Sequence, residues 1–374
     1  MTNYETRIQR VRESMAARSI GLLIVTPGAA MRYMTGFSEE SHERLLALFI
    51  ADGIDPFFVV PSLNATQTEK NPAGIIDVRA WDDSDGWEEI VRQFHYELDG
   101  DASTIAIDDD MPARFTLTFQ ELFPTSTFFS ASGVVSPHRI LKDDAEIQLL
   151  RTAAKLTDRA IDVGFSACAA GSSEMDVAFA IQKQFALDGL EHSFGTIVAA
   201  GPNGALPHHR TSETKLKSGD VVVLDFGAKY QGYCGDITRT IAVDHADDLA
   251  IHIYNIVYEA HQRGLESIKR GATAHDVDVA VRQTIVDAGY GEFFLHRTGH
   301  GIGIHVHEQP YIVSGATIEL MPGHCFSLEP GIYLPGKFGV RLENIVTIAD
   351  DGSPLVLNAP IAPAIPILKA SDLQ

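Results

Sequence analysis

At 374 residues and 45% hydrophobic content, the chain is long enough for two domains, each with its own core. Its 50 acidic against 29 basic residues leave a formal charge of −21, which excludes nucleic acid and anionic membranes as expected partners, since both select basic patches. The apolar runs fall well short of the roughly 20 residues that a membrane span needs.

The N-terminal stretch MTNYETRIQRVRES is charged and has no apolar centre, so no secretory signal is expected. Cys168, Cys234 and Cys325 are few, odd in number and widely spaced, which fits a reducing, cytoplasmic compartment without structural disulfides. Over residues 1–135 helical and strand signals alternate. An amphipathic helix over 4–17 leads to strands at GLLIVT, around 45–50 and at FFVV. IIDVRAW, a helix over 86–96, TIAIDD and a helix over 112–122 follow. This alternation predicts an α/β layer domain, and no glycine-rich phosphate loop interrupts it. A second domain is expected over 136–374, opening on one long amphipathic helix through RILKDDAEIQLLRTAAKLTDRAIDVGF.

The second half contains an internal repeat. Gly171-Ser-Ser-Glu-Met-Asp176-Val177 returns as Gly271-Ala-Thr-Ala-His-Asp276-Val277, each time with a Ser or Thr placed to cap a helix and an acid three residues on. Each copy follows a long helical segment, ends near a glycine (Gly189, Gly289) and then reaches a hairpin. Two such helix–helix–hairpin units predict an α+β domain with pseudo-twofold symmetry. Its sheet is expected to be curved and backed by helices, with both hairpins at a shared cleft.

Both hairpins carry acids. In VVVLDFGAKYQGYCGDITRTIAV a turn centred between Tyr230 and Gln231 sets Asp225 opposite Asp236. In SLEPGIYLPGKFGVRLENIVTI, Glu329 and Glu343 are equidistant from Gly336. Facing carboxylates repel unless a cation lies between them, so two such pairs point to a metal site. Between the second helix and second hairpin, HRTGHGIGIHVHEQP is dense in His and Gly. Read as extended chain, it puts His305 and His307 on one face. Imidazole beside four carboxylates makes a mixed oxygen–nitrogen ligand set suited to Mn, Co, Zn or Fe. In the first repeat, NGALPHHRTS brings His208 and His209 towards the same cleft. His209 is expected beneath the site or at the surface, His296 in a structural role, and Cys234 and Cys325 as small buried residues.

Together Asp225, Asp236, His300, Glu329 and Glu343 resemble the five-ligand signature of the pita-bread metallopeptidases. ALPHH, LDFGAKYQGYCGDITRT, GHGIGIHVHE, LEPGIY and VRLEN are similar to the proline-directed branch, the Xaa-Pro dipeptidases (prolidases) and aminopeptidases P. The N-terminal half resembles that family's creatinase-like α/β domain in general character. The resemblance implies two divalent metal ions, manganese first. Asp225 would chelate one, Asp236 and Glu343 would bridge, and His300 and Glu329 would complete the second. It further implies Glu329 as proton shuttle, His208 and His307 as substrate ligands, Arg341 as the residue orienting the carboxylates, and a homodimer. Hydrolysis of Xaa-Pro dipeptides is the leading expectation. Xaa-Pro aminopeptidase action on longer peptides, or a pita-bread hydrolase or lyase on a small polar metabolite, are the alternatives. Arg32, Arg44 and the stretch MTGFSEESHER are candidates for holding a free substrate carboxylate.

Overall fold

The computed structural model describes residues 4–37, 39, 43–98 and 102–369. Ser38, Glu40, Ser41 and His42, in the candidate stretch MTGFSEESHER, lie outside the described residues. The chain divides into two units, Met1–Arg139 and Ile140–Gln374.

In the first unit, strands β1 (Leu22–Val25), β2 (Ala47–Ala51), β3 (Ile54–Pro61), β4 (Asp77–Trp81), β5 (Thr104–Ile107) and β6 (Thr127–Ser130) form one sheet in the order β4-β3-β2-β1-β5-β6. β1 pairs antiparallel with β2, and β2 with β3; β1–β5, β5–β6 and β3–β4 are parallel. β1 and β2 are buried at every residue, as central strands covered on both faces must be. Parallel neighbours require crossovers. Helix Ala113–Leu122 supplies the one between β5 and β6; with Glu88–Glu97, which carries the chain from β4 to β5, it buries Val91, Phe94, Phe115 and Phe119 in one core with Phe49 and Phe57. The α/β layer expected from the sequence is the one observed.

The division expected after residue 135 cuts a helix. Ser132–Arg139 is helical through Pro137 and buries Val134 and Val135. Its His138 is tied into the first unit: the carbonyl accepts from Tyr33 Oη at 3.0 Å, and Nε2 lies 2.7 Å from Ser14 Oγ. The break therefore falls four residues later, at Arg139. The long helix expected from residue 139 also starts later, at Asp144. Asp143 ends the preceding chain by capping it: Asp143 Oδ1 accepts from Glu146 N at 2.8 Å, and Glu146 Oε2 from Asp143 N at 3.1 Å.

The second unit is built twice over. Helices Asp144–Ala167 and Glu174–Leu187 back the first hairpin; Asp248–Ser267 and Ala274–Asp287 back the second. Ser173 and Thr273 each cap their helix in a reciprocal box with Asp176 and Asp276. Close packing at a helix glycine recurs as well. A β-carbon on Gly164 would lie 3.0 Å from Ile181 Cδ1 and 3.3 Å from Leu224 Cδ2; one on Gly264 would lie 2.7 Å from Val281 Cγ2 and 2.9 Å from Leu328 Cδ1. Glycine lets each first helix sit directly on its second helix and its strand.

The two hairpins belong to separate ladders, one of four strands and one of five, and not to one continuous sheet. They meet where Glu343 N donates to Thr238 O at 3.1 Å, while Thr240 Oγ1 donates to Arg341 O at 2.8 Å. Side-chain hydroxyls take the place of ladder bonds along this seam. The metal-ligand candidates lie on it.

Candidate metal centre

The second hairpin has the register that the sequence predicts. Leu328 pairs with Asn344, and Gly331 with Arg341, on either side of Glu329 and Glu343. Gly336 makes the turn with φ 73°. The first hairpin differs. Asp225 stands opposite Thr238, and Asp236 is not its direct partner. The turn residues are Gln231 and Gly232, both with positive φ (45° and 84°), so the turn is centred one residue later than expected and each partner moves by two. A shift of two preserves the face of the strand, and both carboxylates still reach one cavity.

That cavity, of about 420 Å³, is lined by all eight of the candidates Asp225, Asp236, His300, Glu329, Glu343, His208, His307 and Arg341. Ligand atoms of Asp236, His300 and Glu343 all lie within 4.8 Å of one another. His300 Nε2 is 3.7 Å from Asp236 Oδ2 and 3.4 Å from Glu329 Oε1. His300 Nδ1 donates to Gly301 O at 3.1 Å, which leaves the Nε2 lone pair facing the carboxylates. Burial pushes this imidazole down to about 3, so it is neutral. His300 sits between two glycines for a steric reason: a β-carbon on Gly299 would lie 1.8 Å from Ser327 O, and one on Gly301 2.1 Å from Gln309 O.

Arg341 reaches three side chains. It donates to Asp225 Oδ2 at 2.6 Å, Thr238 Oγ1 at 3.1 Å and Tyr333 Oη at 2.9 Å. Thr238 Oγ1 donates in turn to Glu343 Oε2 at 2.6 Å, and Ser327 Oγ to Glu329 Oε1 at 3.1 Å. These bonds orient the acids without neutralising them. Asp236 and Glu343 are raised well above ordinary carboxyl values, by burial first and then by the neighbouring acids; burial pushes Glu329 up to about 7, with Asp225 adding to the rise. Asp225 Oδ1 is buried with no hydrogen-bond partner among the described residues. Four enclosed carboxyls around one guanidinium, with an oxygen left over, are the donor set that divalent cations neutralise. The residues fit a metal centre.

His307 reaches the cavity mouth on a chain that is bent, not extended, over 303–307. Gly303 N donates to His305 O at 3.0 Å, and buried Lys142 Nζ holds Glu308 Oε1 at 2.7 Å. The shared face expected for His305 and His307 is therefore lost, and His305 is not among the residues lining the cavity. The rings of His300 and His307 meet edge to face, 4.1 Å between centroids. His209 turns away to Glu174. His296 lines the cavity and accepts from Tyr333 Oη at 2.8 Å, joining the chain of bonds from Arg341. Cys234 and Cys325 are buried and off the cavity, the Cys325 thiol pushed up to about 12 by burial. In the first unit Arg44 is already paired with Asp83 at 2.7 Å.

Sequence reasoning gave no role to Tyr333, to Arg297, or to the apolar wall of Phe194, Ile197, Pro207 and Val306. The Arg297 guanidinium lies over Tyr311 at 4.2 Å, with no carboxylate partner among the described residues.

Comparison with known proteins covers both units. The model of metallopeptidase family M24 matches residues 148–350, and that of the creatinase/prolidase N-terminal domain matches residues 7–141. A probable dipeptidase, PepE, of Mycobacterium tuberculosis is 36% identical over 358 residues, covering 96% of this chain and 95% of that protein. An Xaa-Pro dipeptidase of Lactobacillus helveticus is 37% identical over 324 residues, 86% of this chain and 88% of its own. Among solved structures, recombinant prolidase from Thermococcus sibiricus superposes with a TM-score of 0.93 at 35% identity, covering 98% of this chain and all of the other.

Proposed function

The chain belongs to metallopeptidase family M24, whose members use divalent metal ions, and on that premise we propose that it is a dinuclear Xaa-Pro dipeptidase. The observation that carries this reading is the single cavity joining five ligand candidates, three further histidines (His208, His296 and His307) and an apolar wall. The relatives named Xaa-Pro dipeptidase and prolidase, similar over nearly the whole chain, support the substrate.

In this reading Asp225, Asp236, His300, Glu329 and Glu343 would together hold the two ions. The oxygen-rich set favours manganese. Bound there, two divalent ions supply an acidified water and a polarised carbonyl. The rest falls to the chain. His208 and His307 donate hydrogen bonds to the scissile carbonyl oxygen as negative charge develops on it. The carboxylate of Glu329 takes a proton from the attacking water and delivers it to the proline nitrogen as the C–N bond breaks. That nitrogen belongs to a tertiary amide with no N–H, so nothing in the site has to accept from it. Phe194, Ile197, Pro207 and Val306 offer an apolar surface for the pyrrolidine ring. Arg297 pairs with the free carboxylate that a dipeptide presents one residue beyond the scissile bond.

Manganese-dependent hydrolysis of Ala-Pro beside Ala-Pro-Ala tests the proposal. Cleavage of the dipeptide alone is expected. Preference for the tripeptide would make the protein an Xaa-Pro aminopeptidase, and no cleavage of either after metal loading would move the reading to a small polar metabolite. A cytoplasmic homodimer completes the proposal. Three free, buried cysteines support the reducing compartment, and no described helix is long and apolar enough to cross a membrane. The dimer rests on the family resemblance and is checked by light scattering of the purified protein.

A further inference from the structure

His208 reaches the cavity from the segment between strands Ile197–Ala200 and Val221–Phe226, whose regular structure is a 3-10 turn over Gly201–Ala205. One carboxylate ties this segment down at four residues between 200 and 212. Glu174, the first residue of its helix, is fully buried. Its Oε1 accepts from Ala200 N at 2.9 Å and Asn203 Nδ2 at 2.8 Å. Its Oε2 accepts from Ser212 N at 3.0 Å, Ser212 Oγ at 2.7 Å and His209 Nε2 at 2.8 Å. Burial alone would raise this carboxyl; the hydrogen bonds outweigh it and hold the group below its ordinary value.

The second half of the unit is an internal control. Residue 274, the counterpart of Glu174, is Ala. Both helices nonetheless begin with the same reciprocal cap. Both dock through the same backbone pattern: Glu174 N to Thr214 O and Met175 N to Ser212 O in one, Ala274 N to Ile318 O and His275 N to Ala316 O in the other. The helix start and its docking therefore need no carboxylate. Burying a charge is costly unless every lone pair is used, and all five bonds here run to residues 200–212. What the first half has and the second lacks is the His208-His209 segment.

We propose that Glu174 is the positioning residue of His208: by gripping Ala200, Asn203, Ser212 and His209, it sets the angle at which His208 enters the cavity. The proposal builds on the reading of His208 as a substrate ligand given above. His209 is the direct link, since its ring is turned to Glu174 while its neighbour lines the cavity.

The test is a double-mutant cycle on the full, metal-loaded chain, with Glu174→Ala and His208→Ala made singly and together and Ala-Pro as substrate. Glu174→Ala is expected to lower kcat/KM roughly 10- to 100-fold with bound metal unchanged, and to add less than about twofold once His208 is gone. Glu174→Gln keeps an acceptor for Ala200 and Asn203 but turns a donor towards His209 and Ser212, and falls between. His209→Ala, which leaves the carboxylate in place, gives a smaller loss of the same non-additive kind. Losses that multiply in full, or a loss of metal, would make Glu174 a structural residue and overturn the proposal. Hydrogen exchange of peptides spanning 200–212 decides the matter without substrate. Glu174→Ala is expected to speed exchange there and leave the strand Val221–Phe226 protected; unchanged exchange refutes the clamp. A wild-type chain that cleaves no Xaa-Pro substrate would sink the functional reading instead, with the exchange result standing on its own.

Discussion

Arg341 Nη2 holds Asp225 Oδ2 at 2.6 Å, and the other oxygen of Asp225 is left buried without a hydrogen-bond partner among the described residues. One oxygen is fixed so that the second is presented. Arg341 also reaches Thr238 and Tyr333, a geometry that an ammonium cannot copy. Arg341→Lys is therefore expected to lower kcat/KM or metal affinity by roughly 10- to 100-fold. Kinetics with metal analysis of the purified variant check this, and wild-type values for both would remove Arg341 from its positioning role.

Metal removal should be visible in stability. The acids that raise one another's proton affinity in the cavity lose their neutralising charge on chelation. The chelated protein is expected to melt earlier, and added Mn²⁺ to restore stability in proportion to its logarithm, by about 2.7 kcal/mol at a hundredfold excess over Kd. A melting temperature indifferent to Mn²⁺ counts against the site.

Glu329→Gln keeps the size of the side chain and removes the proposed proton carrier. A loss of roughly 10²- to 10⁴-fold in kcat is expected, with binding of an uncleaved dipeptide analogue retained. His307→Ala, which removes a proposed donor to the developing oxyanion, is expected to cost roughly 10²- to 10³-fold. Full activity in either variant contradicts the mechanism.

Arg297 separates the dipeptide reading from the aminopeptidase one. Arg297→Ala is expected to raise KM for Ala-Pro roughly 30-fold and to leave Ala-Pro amide, which has no carboxylate, nearly unaffected. Equal effects on acid and amide would place the substrate carboxylate elsewhere.

In the first unit, burial pushes Asp108 up to about 6 from an ordinary 3.8, against the opposing hydrogen bonds from Asp110 N and Thr26 N. The folded chain holds this proton more tightly than the unfolded chain. Its contribution to stability is thus greatest below about pH 4 and is lost as pH rises to 6, on the order of 2 to 3 kcal/mol. Asp108→Asn keeps an oxygen for Thr26 N and removes the buried charge. Urea unfolding at pH 7.5 is expected to show a stabilised variant, and at pH 4 none; the same difference at both pH values would rule out the charge as its cause.

Much of this architecture was legible because local chemistry and global fold agree. Gly336 at positive φ centres the second hairpin, so Glu329 and Glu343 could be placed by counting. Counting misplaces the first hairpin by one residue because Gln231, not a habitual turn residue, takes φ 45°. The period of two kept both acids on the right face all the same. Asp143 and Glu146 spelled out a helix start that the apolar pattern obscured. Long-range partners carry no local signal. Arg297 and Phe194 reach the cavity of the acids, and Tyr333 reaches Arg341, through folding alone, and nothing near Glu174 in sequence announces the loop it holds.

The two halves of the duplicated unit also fix an order of events in synthesis. When the ribosome has made Val243, Asp225 and Asp236 exist with no acids from the second hairpin, and His300 has not been made. The cluster closes only after Glu343 emerges, on a strand that must dock beside Thr238. A metal centre built on these acids would therefore form late in synthesis, once both halves of the duplicated unit have been made.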